Sequence, residues 1–254
     1  MKLSNKEKAV ALLRSIETGD SAPVGFVNPN KYIQHNLMVG DGLAGFGEVL
    51  KQLPEGSAKA KVVRAFQDGD YVFTHTEYNF FGPKTGFDIF RFENGTIVEH
   101  WDNLQETALE TVSGRTQTDG PAEAGDLDKT EDNKYLVAGF VKDILKGGNP
   151  GKITDYISPD NYRQHNPAVA DGLAALGKAL QEMAAAGVPM TYTQTHKVLG
   201  EGNFVLAVSE GQFLGKHSAF YDLFRIEDGK IVEHWDTIEG IPPKEQWKNQ
   251  NGKF

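Results

Sequence analysis

Carboxylate and imidazole side chains recur with matching spacing near the end of each half of this sequence. The two sets are Asp88, His100 and Asp102, and, 134 residues later, Asp222, His234 and Asp236. Alternate positions on a strand share one face of a sheet. A carboxylate beside an imidazole orients the ring and raises its basicity, so the pair can move protons. The pattern therefore predicts acid/base chemistry on these strands.

The turn between the two strands decides which side chains share a face. A two-residue Asn94-Gly95 turn would place Asp88 opposite Trp101. A turn with Gly95 left-handed in a bulge would place Asp88 opposite His100. We favour the bulged register because it collects the polar groups and several apolar side chains on one face.

In the favoured register the two faces have different characters. The inner face carries Asp88, Phe90, Phe92, Val98, His100 and Asp102. The outer face carries Phe87, Ile89, Arg91, Ile97, Glu99 and Trp101. Arg91 and Glu99 could then form a cross-strand ion pair. Trp101 and Trp235 are expected to lie against the other half of the chain.

Further candidates precede these strands. Tyr71, Phe73, His75 and Glu77 share a face by the two-residue period, and Val208 stands where the second half would need a counterpart of His75. His35 and His165 follow helical segments and could either bond a substrate carbonyl or bond loop backbone. We predict five catalytic residues: Asp88, His100, Asp102, His75 and His35. The predicted binding residues are Tyr71, Phe90, Phe92, Glu77, His165, Asp222, His234 and Asp236. The first half is the better candidate for the active one.

The whole chain is an internal duplication. Tyr32-Ile-Gln-His-Asn recurs as Tyr162-Arg-Gln-His-Asn, and 11 of the 16 residues from 87 to 102 are identical in 221–236. Residues 111–130 are rich in Thr, Gly, Asp and Glu, which is typical of a linker. We predict two domains, 1–124 and 125–254. Fusion of a former homodimer predicts an intramolecular pseudo-dimer, with a monomeric chain as one option.

Each half places helices before strands. In the first half, helices are predicted at 5–17 and 42–52 and strands at 60–67, 71–80, 87–92 and 96–104. Turns at Asp68-Gly69-Asp70 and Glu93-Asn94-Gly95 indicate an antiparallel sheet and an α+β class. Helices laid across a curved sheet leave a concave space suited to a small molecule.

Composition excludes several classes of function. The 254 residues carry a formal net charge of −9, which argues against nucleic-acid binding. The absence of cysteine excludes disulfides, thiolate metal sites and a cysteine nucleophile. No apolar run is long enough for a signal peptide or membrane span, so a cytoplasmic protein without a membrane partner is expected.

These motifs resemble the SnoaL-like family of the nuclear transport factor 2-like superfamily. The match rests on Tyr-x-Gln-His-Asn, Gly-Asp-x-Val-x-x-His and the long motif ending in Ile-Val-Glu-His-Trp-Asp, and it covers nearly all of both halves. The resemblance implies two tandem cone-shaped domains, each a curved antiparallel sheet wrapped around helices. It also implies polyketide cyclase, isomerase or epoxide hydrolase chemistry without a metal, with Asp88 placed like an oxyanion-hole aspartate and Asp102 like an acid/base aspartate.

The leading hypothesis is a cofactor-independent cyclase, isomerase or aldol-type enzyme acting on a small carbonyl compound. A non-catalytic pair of small-ligand-binding or structural domains is the alternative. Three histidines and two aspartates in one pocket could also bind zinc or iron. No local His-x-His or His-x-x-x-His spacing supports that reading, so no cofactor is expected.

Overall fold

Each half of the chain begins with a helix and ends in four long antiparallel strands. The computed structural model describes residues 3–53, 58–187 and 190–254. It divides the chain into one unit of Met1–Thr107 with Pro242–Phe254 and a second unit of Ala108–Ile241. We call these domain 1 and domain 2.

Domain 1 packs two helices against a five-stranded sheet. Its elements are α1 (Asn5–Thr18), β1 (Ile33–Gln34), α2 (Gly42–Gln52), β2 (Lys59–Asp68), β3 (Tyr71–Asn79), β4 (Pro83–Glu93) and β5 (Thr96–Glu106). The strand order is β1-β5-β4-β3-β2, and the two-residue β1 runs parallel to β5 while all other pairs are antiparallel.

Local sequence signals set the ends of α1. Ser4 and Glu7 form a capping box at its start, and Gly19 ends it in the left-handed conformation. Its apolar stripe, which includes Leu12 and Leu13, packs with the β4 side chains Phe90 and Phe92 in one buried cluster. The helix therefore covers the face of the sheet that also carries Asp88.

Domain 2 repeats this order. Its elements are α3 (Thr130–Phe140), continued by a π-helical turn (Val141–Leu145), α4 (Ile153–Tyr156), β6 (Arg163–Gln164), α5 (Leu173–Ala185), β7 (Thr191–Glu201), β8 (Phe204–Phe213), β9 (Lys216–Glu227) and β10 (Lys230–Gly240). The strand order β6-β10-β9-β8-β7 matches that of domain 1. The predicted fold class, two tandem α+β domains, is confirmed.

The register of the β4–β5 hairpin differs from both sequence alternatives. Asn94 and Gly95 both have positive φ, so they form a two-residue turn, and the extra residue is Val98 within β5. This bulge places Asp88 opposite Asp102 rather than His100. Because the shift from the favoured register is two residues, the predicted grouping of side chains by face still holds.

Each domain is completed by a segment that follows the last strand of the other copy. In domain 1, Asn249 Nδ2 donates to the carbonyls of Asn36 and Val39 at 2.8 and 3.0 Å. In domain 2, Arg115 pairs with Asp171 at 2.8 Å. Residues 108–124, predicted to close the first copy, thus belong to domain 2, and 242–254 belong to domain 1. The pseudo-dimer stays a prediction.

No helix in the described part of the chain is long and apolar enough to cross a membrane.

Helix α2 packs closely against the loop before it at Gly45. A Cβ at Gly45 would lie 1.8 Å from the carbonyl oxygen of Gly40, whereas a Cβ at Gly47 would meet nothing within 4 Å. We expect Gly45→Ala to lower the free energy of unfolding by about 1–3 kcal/mol through overpacking. The matched Gly47→Ala should raise it by up to about 1 kcal/mol through helix propensity. Denaturant titration of both variants checks this, and equal effects would contradict the close packing.

Candidate functional site

A small cavity in domain 1 lies between α1, α2 and the sheet. Its volume is about 110 Å³. Its apolar lining is Leu12, Leu13, Ile16, Val39, Phe46, Val49, Phe80, Phe90 and Leu104, and its polar lining is Tyr32, Gln34, Asn36, Tyr78, Asp88, His100 and Asp102. The carboxylates of Asp88 and Asp102 therefore share a partly apolar space with several converging polar groups, as in many ligand pockets.

His100 is held at both ring nitrogens by oxygen atoms. Nε2 lies 3.1 Å from Asp88 Oδ1, and Nδ1 lies 3.1 Å from Gln34 Oε1. Gln34 Oε1 also accepts the backbone N–H of Asn36 at 2.8 Å, which identifies it as the amide oxygen. An imidazole with an acceptor at each nitrogen donates to both only in its protonated form. The geometry thus suits an imidazolium paired with Asp88.

Asp102 keeps one oxygen bonded and one open. Asn36 Nδ2 donates to Asp102 Oδ2 at 2.6 Å, whereas Oδ1 is buried and accepts no hydrogen bond from the described residues. The buried Lys253 donates to the backbone carbonyl of Asp102 at 2.8 Å, and its Nζ lies 3.8 Å from Oδ1. A cation therefore accompanies the open carboxylate oxygen.

Domain 2 builds the same arrangement in a tighter space. His234 lies 3.0 Å from Asp222 and 2.8 Å from Gln164, and Asn166 donates to Asp236 at 2.7 Å. Asp236 Oδ1, like Asp102 Oδ1, accepts no hydrogen bond from the described residues. The cavity volume is about 50 Å³, less than half that of domain 1.

Burial and charge shift the titration of this second site. Burial raises the pKa of Asp236 to about 6, the charge of Asp222 adds to the rise, and His234 opposes it. Burial alone would lower the pKa of His234. The hydrogen bond to Asp222 and the charges of both aspartates outweigh burial and raise that pKa above its ordinary value. A carboxyl that titrates near neutrality can act as an acid or a base.

The predicted late-strand residues are brought together. Asp88, Phe90, His100 and Asp102 line the first cavity, and Asp222, His234 and Asp236 line the second. Phe92 lies on the same face but belongs to the buried cluster under α1.

Three predicted site residues on β3 lie on the opposite face of the sheet from the cavity, so their prediction as pocket residues is wrong. His75 stacks on Phe87 at 4.3 Å, and Tyr71 packs against Trp101 at 6.2 Å. Glu77 pairs with Lys61 at 3.1 Å. The side chains that face Asp88 from β3 are instead Thr74 and Tyr78, because they lie at positions that alternate with the predicted set.

His35 and His165 are also wrong as pocket residues. His35 stacks on Trp101 at 4.6 Å and contacts Glu99 at 2.9 Å and the Gly252 carbonyl at 2.8 Å. His165 does the same with Trp235, Glu233 and the Thr116 carbonyl. Burial acts to raise the pKa of Glu233, but its bonds to His165 and Arg225 hold that pKa below the ordinary value. These histidines therefore stabilise the outer face, where the predicted Arg91–Glu99 pair is confirmed at 2.6 Å.

Sequence reasoning missed the pocket residues that surround each motif histidine. Tyr32, Gln34 and Asn36 line the cavity because they alternate along a short segment that includes β1, whereas His35 stacks on Trp101. The signal was present in the motif as alternation, Tyr-x-Gln-x-Asn, and it recurs at 162, 164 and 166. Tyr78 and Tyr192 were also missed.

The donor sets also permit a metal ion. Ligand atoms of Asp88, His100 and Asp102 lie within 4.8 Å of one another, as do those of Asp222, His234 and Asp236. One imidazole and two carboxylates suit a divalent cation. The hydrogen bonds of each histidine to an aspartate and a glutamine satisfy both ring nitrogens without one.

Comparison with known proteins bears on the identity of these domains. The family model of the SnoaL-like domain matches residues 137–234. Residues 137–234 form a SnoaL-like domain. Domain 1 repeats its strand order and its pocket residues, so the resemblance drawn from the motifs is confirmed. A comparison with curated protein sequences gave no significant match.

Several solved structures resemble part of this chain. TsrD from Streptomyces laurentii is 24% identical, covering 42% of this chain and 87% of its own, with a TM-score of 0.34. IdmH, a candidate polyketide cyclase of Streptomyces antibioticus, is 20% identical over 42% and 91%, with a TM-score of 0.34. A candidate ketosteroid isomerase from Kribbella flavida is 15% identical over 45% and 84%, with a TM-score of 0.38.

The raised pKa of Asp236 should make the free energy of unfolding depend on pH. With a pKa of about 6 against an ordinary 3.8, the folded state binds this proton more tightly than the unfolded state does. Stability should therefore fall as pH rises from about 4 through 6. We expect Asp236→Asn to equal the wild type near pH 4 and to exceed it above pH 6 by about 1–3 kcal/mol.

Urea denaturation between pH 4 and 8 measures this difference. Asp102→Asn is the matched control, because it removes a carboxylate that has Lys253 beside it. It should give no comparable gain. A pH-independent effect of Asp236→Asn would show that the carboxyl does not titrate as described.

Proposed function

We propose that this protein is a cofactor-independent acid/base enzyme that removes an α-proton from a small carbonyl compound, with its main active pocket in domain 1. The observation that carries the proposal is the buried Oδ1 of Asp102, which accepts no hydrogen bond from the described residues and lies in a partly apolar cavity beside a hydrogen-bonded Asp88–His100 pair. The resulting enolate would be reprotonated in an isomerisation or would attack a second carbonyl in an aldol-type closure.

The roles follow from which hydrogen bonds are already made. Asp102 Oδ1 accepts the α-proton, because Oδ2 is held by Asn36. Tyr32 accepts a bond from Gln34 Nε2 at 3.4 Å, which leaves its own O–H to donate to the enolate oxygen. Burial and the nearby aspartates raise the pKa of Tyr32, so its hydroxyl stays protonated.

His100 acts as a positioning and electrostatic residue in this mechanism. Both of its nitrogens are engaged, by Asp88 and by Gln34, so it does not itself reach a substrate proton in this arrangement. A protonated ring beside Asp102 would stabilise the negative charge that develops on the enolate. This refines the expectation that His100 and Asp88 form the proton-transfer pair.

Two differences favour domain 1 over domain 2. Its cavity, about 110 Å³ against about 50 Å³, approaches the size that accepts a ligand of a few heavy atoms. It also carries Lys253 beside Asp102, a charge supplied by the segment 242–254. The earlier reason for preferring the first half, an inward His75, does not hold.

Hydrogen exchange at carbon tests the proposal. Purified protein is mixed with butanone or cyclopentanone in heavy water, and loss of the α-hydrogen NMR signals is followed. We expect catalysed exchange, with Asp102→Asn slower by at least about 100-fold, in the range for loss of a catalytic base. Asp236→Asn in domain 2 is the matched control and should cost less than about threefold.

The outcomes separate the candidate functions. Equal losses in both variants would place the activity in both domains and contradict the preference for domain 1. Binding of the ketones without exchange would identify the chain as a ligand-binding protein. Exchange unaffected by Asp102→Asn would show that Asp102 is not the base.

A chelator separates the metal reading from the cofactor-free one. Elemental analysis of the purified protein and exchange assays with excess EDTA should show no stoichiometric ion and no change in rate. Loss of exchange with EDTA, restored by one divalent ion per domain, would instead assign the Asp–His–Asp set to a metal.

A further inference from the structure

The hydroxyl that bonds the innermost aspartate comes from different strands in the two domains. In domain 1 it is Tyr78 on β3, which donates to Asp88 Oδ2 at 2.6 Å. In domain 2 it is Tyr192 on β7, the counterpart of β2, with its hydroxyl 3.3 Å from both oxygens of Asp222. Both tyrosines are buried and line their cavities.

The two tyrosines lie in equivalent cross-strand pairs of the two domains, but on opposite strands of the pair. Tyr78 pairs with Ala60 across β2–β3, and Tyr192 pairs with Gly211 across β7–β8. Gly211 occupies in domain 2 the position that Tyr78 holds in domain 1, 133 residues earlier. The aromatic residue and the small residue have therefore exchanged strands.

Packing explains why the exchange had to be complete. A Cβ at Gly211 would lie 1.8 Å from the carbonyl oxygen of Thr191 on β7, so no tyrosine fits there. A third position also differs between the two domains. Gly86 lies against Leu104 and the ring of Tyr78, whose Cδ2 and Cε2 atoms, respectively, would be 2.3 and 3.2 Å from a Cβ at Gly86. Its counterpart Phe220 stacks on Tyr192 at 4.3 Å.

We infer that Tyr78 and Tyr192 are equivalent positioning residues, whose shared task is to present a phenolic hydroxyl to the buried aspartate of each pocket. The inference rests on the proposed function for its kinetic consequence and on geometry for the contact itself. Three positions changed in concert between the copies, and the one feature they preserve is the phenol–aspartate contact.

The contact directs the two oxygens of Asp88 to separate partners. Tyr78 takes Oδ2 and His100 takes Oδ1, so the carboxylate plane is held and the imidazole is aimed. Burial and the charge of Asp88 raise the pKa of Tyr78 well above its usual range, which keeps the phenol a donor. The strand that carries the tyrosine also differs with cavity size. The smaller cavity is that of domain 2, where Tyr192 stands at the position of Ala60 in domain 1.

Relocating the phenol within domain 1 tests this directly. The double variant Ala60→Tyr/Tyr78→Gly copies the domain 2 arrangement, and Ala60→Phe/Tyr78→Gly is the same change without the hydroxyl. We expect Tyr78→Phe and the Phe-containing double variant to slow ketone exchange by about 10- to 100-fold. The exchange rate of the Tyr-containing double variant should stay within about fivefold of the wild-type rate. The remaining difference should lie mainly in KM, with a different ratio between butanone and cyclopentanone. If the double variants fold poorly, adding Gly86→Phe to both completes the domain 2 set.

A spectroscopic readout keeps the inference separate from the proposed activity. A buried phenol that donates to a carboxylate gives a downfield hydroxyl proton in the NMR spectrum. The domain 1 resonance should vanish in Tyr78→Phe and in the Phe-containing double variant and return in the Tyr-containing one. Failure to return overturns the inference even if the wild type exchanges ketones. Equal exchange rates for the two double variants would show that only ring packing matters.

If the wild type exchanges no ketone, the proposed function fails. The resonance then decides alone whether the phenol has been relocated.

Discussion

The structure of each pocket depends on the burial of two aspartates that face each other across one strand pair. Asp88 and Asp102 are direct partners in the β4–β5 ladder, and both are nearly inaccessible to solvent. Buried carboxylates are costly unless they are hydrogen-bonded or paired. The nearby polar side chains meet this requirement: Tyr78 and His100 bind the first aspartate, and Asn36 and Lys253 contact the second. Asp102 Oδ1 accepts no hydrogen bond from the part of the chain that the structure describes, and that oxygen is the proposed base.

The opposing aspartates exist because one strand contains a bulge. Without the extra residue Val98, a two-residue turn would place Asp88 opposite Trp101 and bring an indole into the site. The Asn-Gly turn was readable from the sequence, since both residues tolerate positive φ. The bulge was not, because a β-branched valine suits a regular strand equally well. The faces were nevertheless predicted correctly, because the register that we favoured differs from the observed one by two residues and side chains alternate with that period.

Most of the fold could be read from pattern alone, because duplication supplied two independent copies of each signal. Helix α2 begins and ends at the predicted residues. Three of the four long strands extend the predicted ones by a few residues, and β3 ends one residue earlier than predicted. The failure at His75 has a physical cause. A two-residue period shows which side chains share a face but not which face is the pocket, and both faces of β3 and β5 are buried. Lys253 could not be inferred because it reaches Asp102 across 151 residues of sequence.

The two copies therefore differ for reasons other than the one the sequence offered. The His75–Val208 difference lies on the far face of the sheet, away from either cavity. The pocket differences are a lysine beside Asp102, a tyrosine moved by one strand, and a cavity reduced by about half. Each changes charge or volume around an Asp–His–Asp set that keeps the same hydrogen bonds. A duplicated fold that holds its buried polar network and varies only its surroundings can give one scaffold two pockets of different size and acidity.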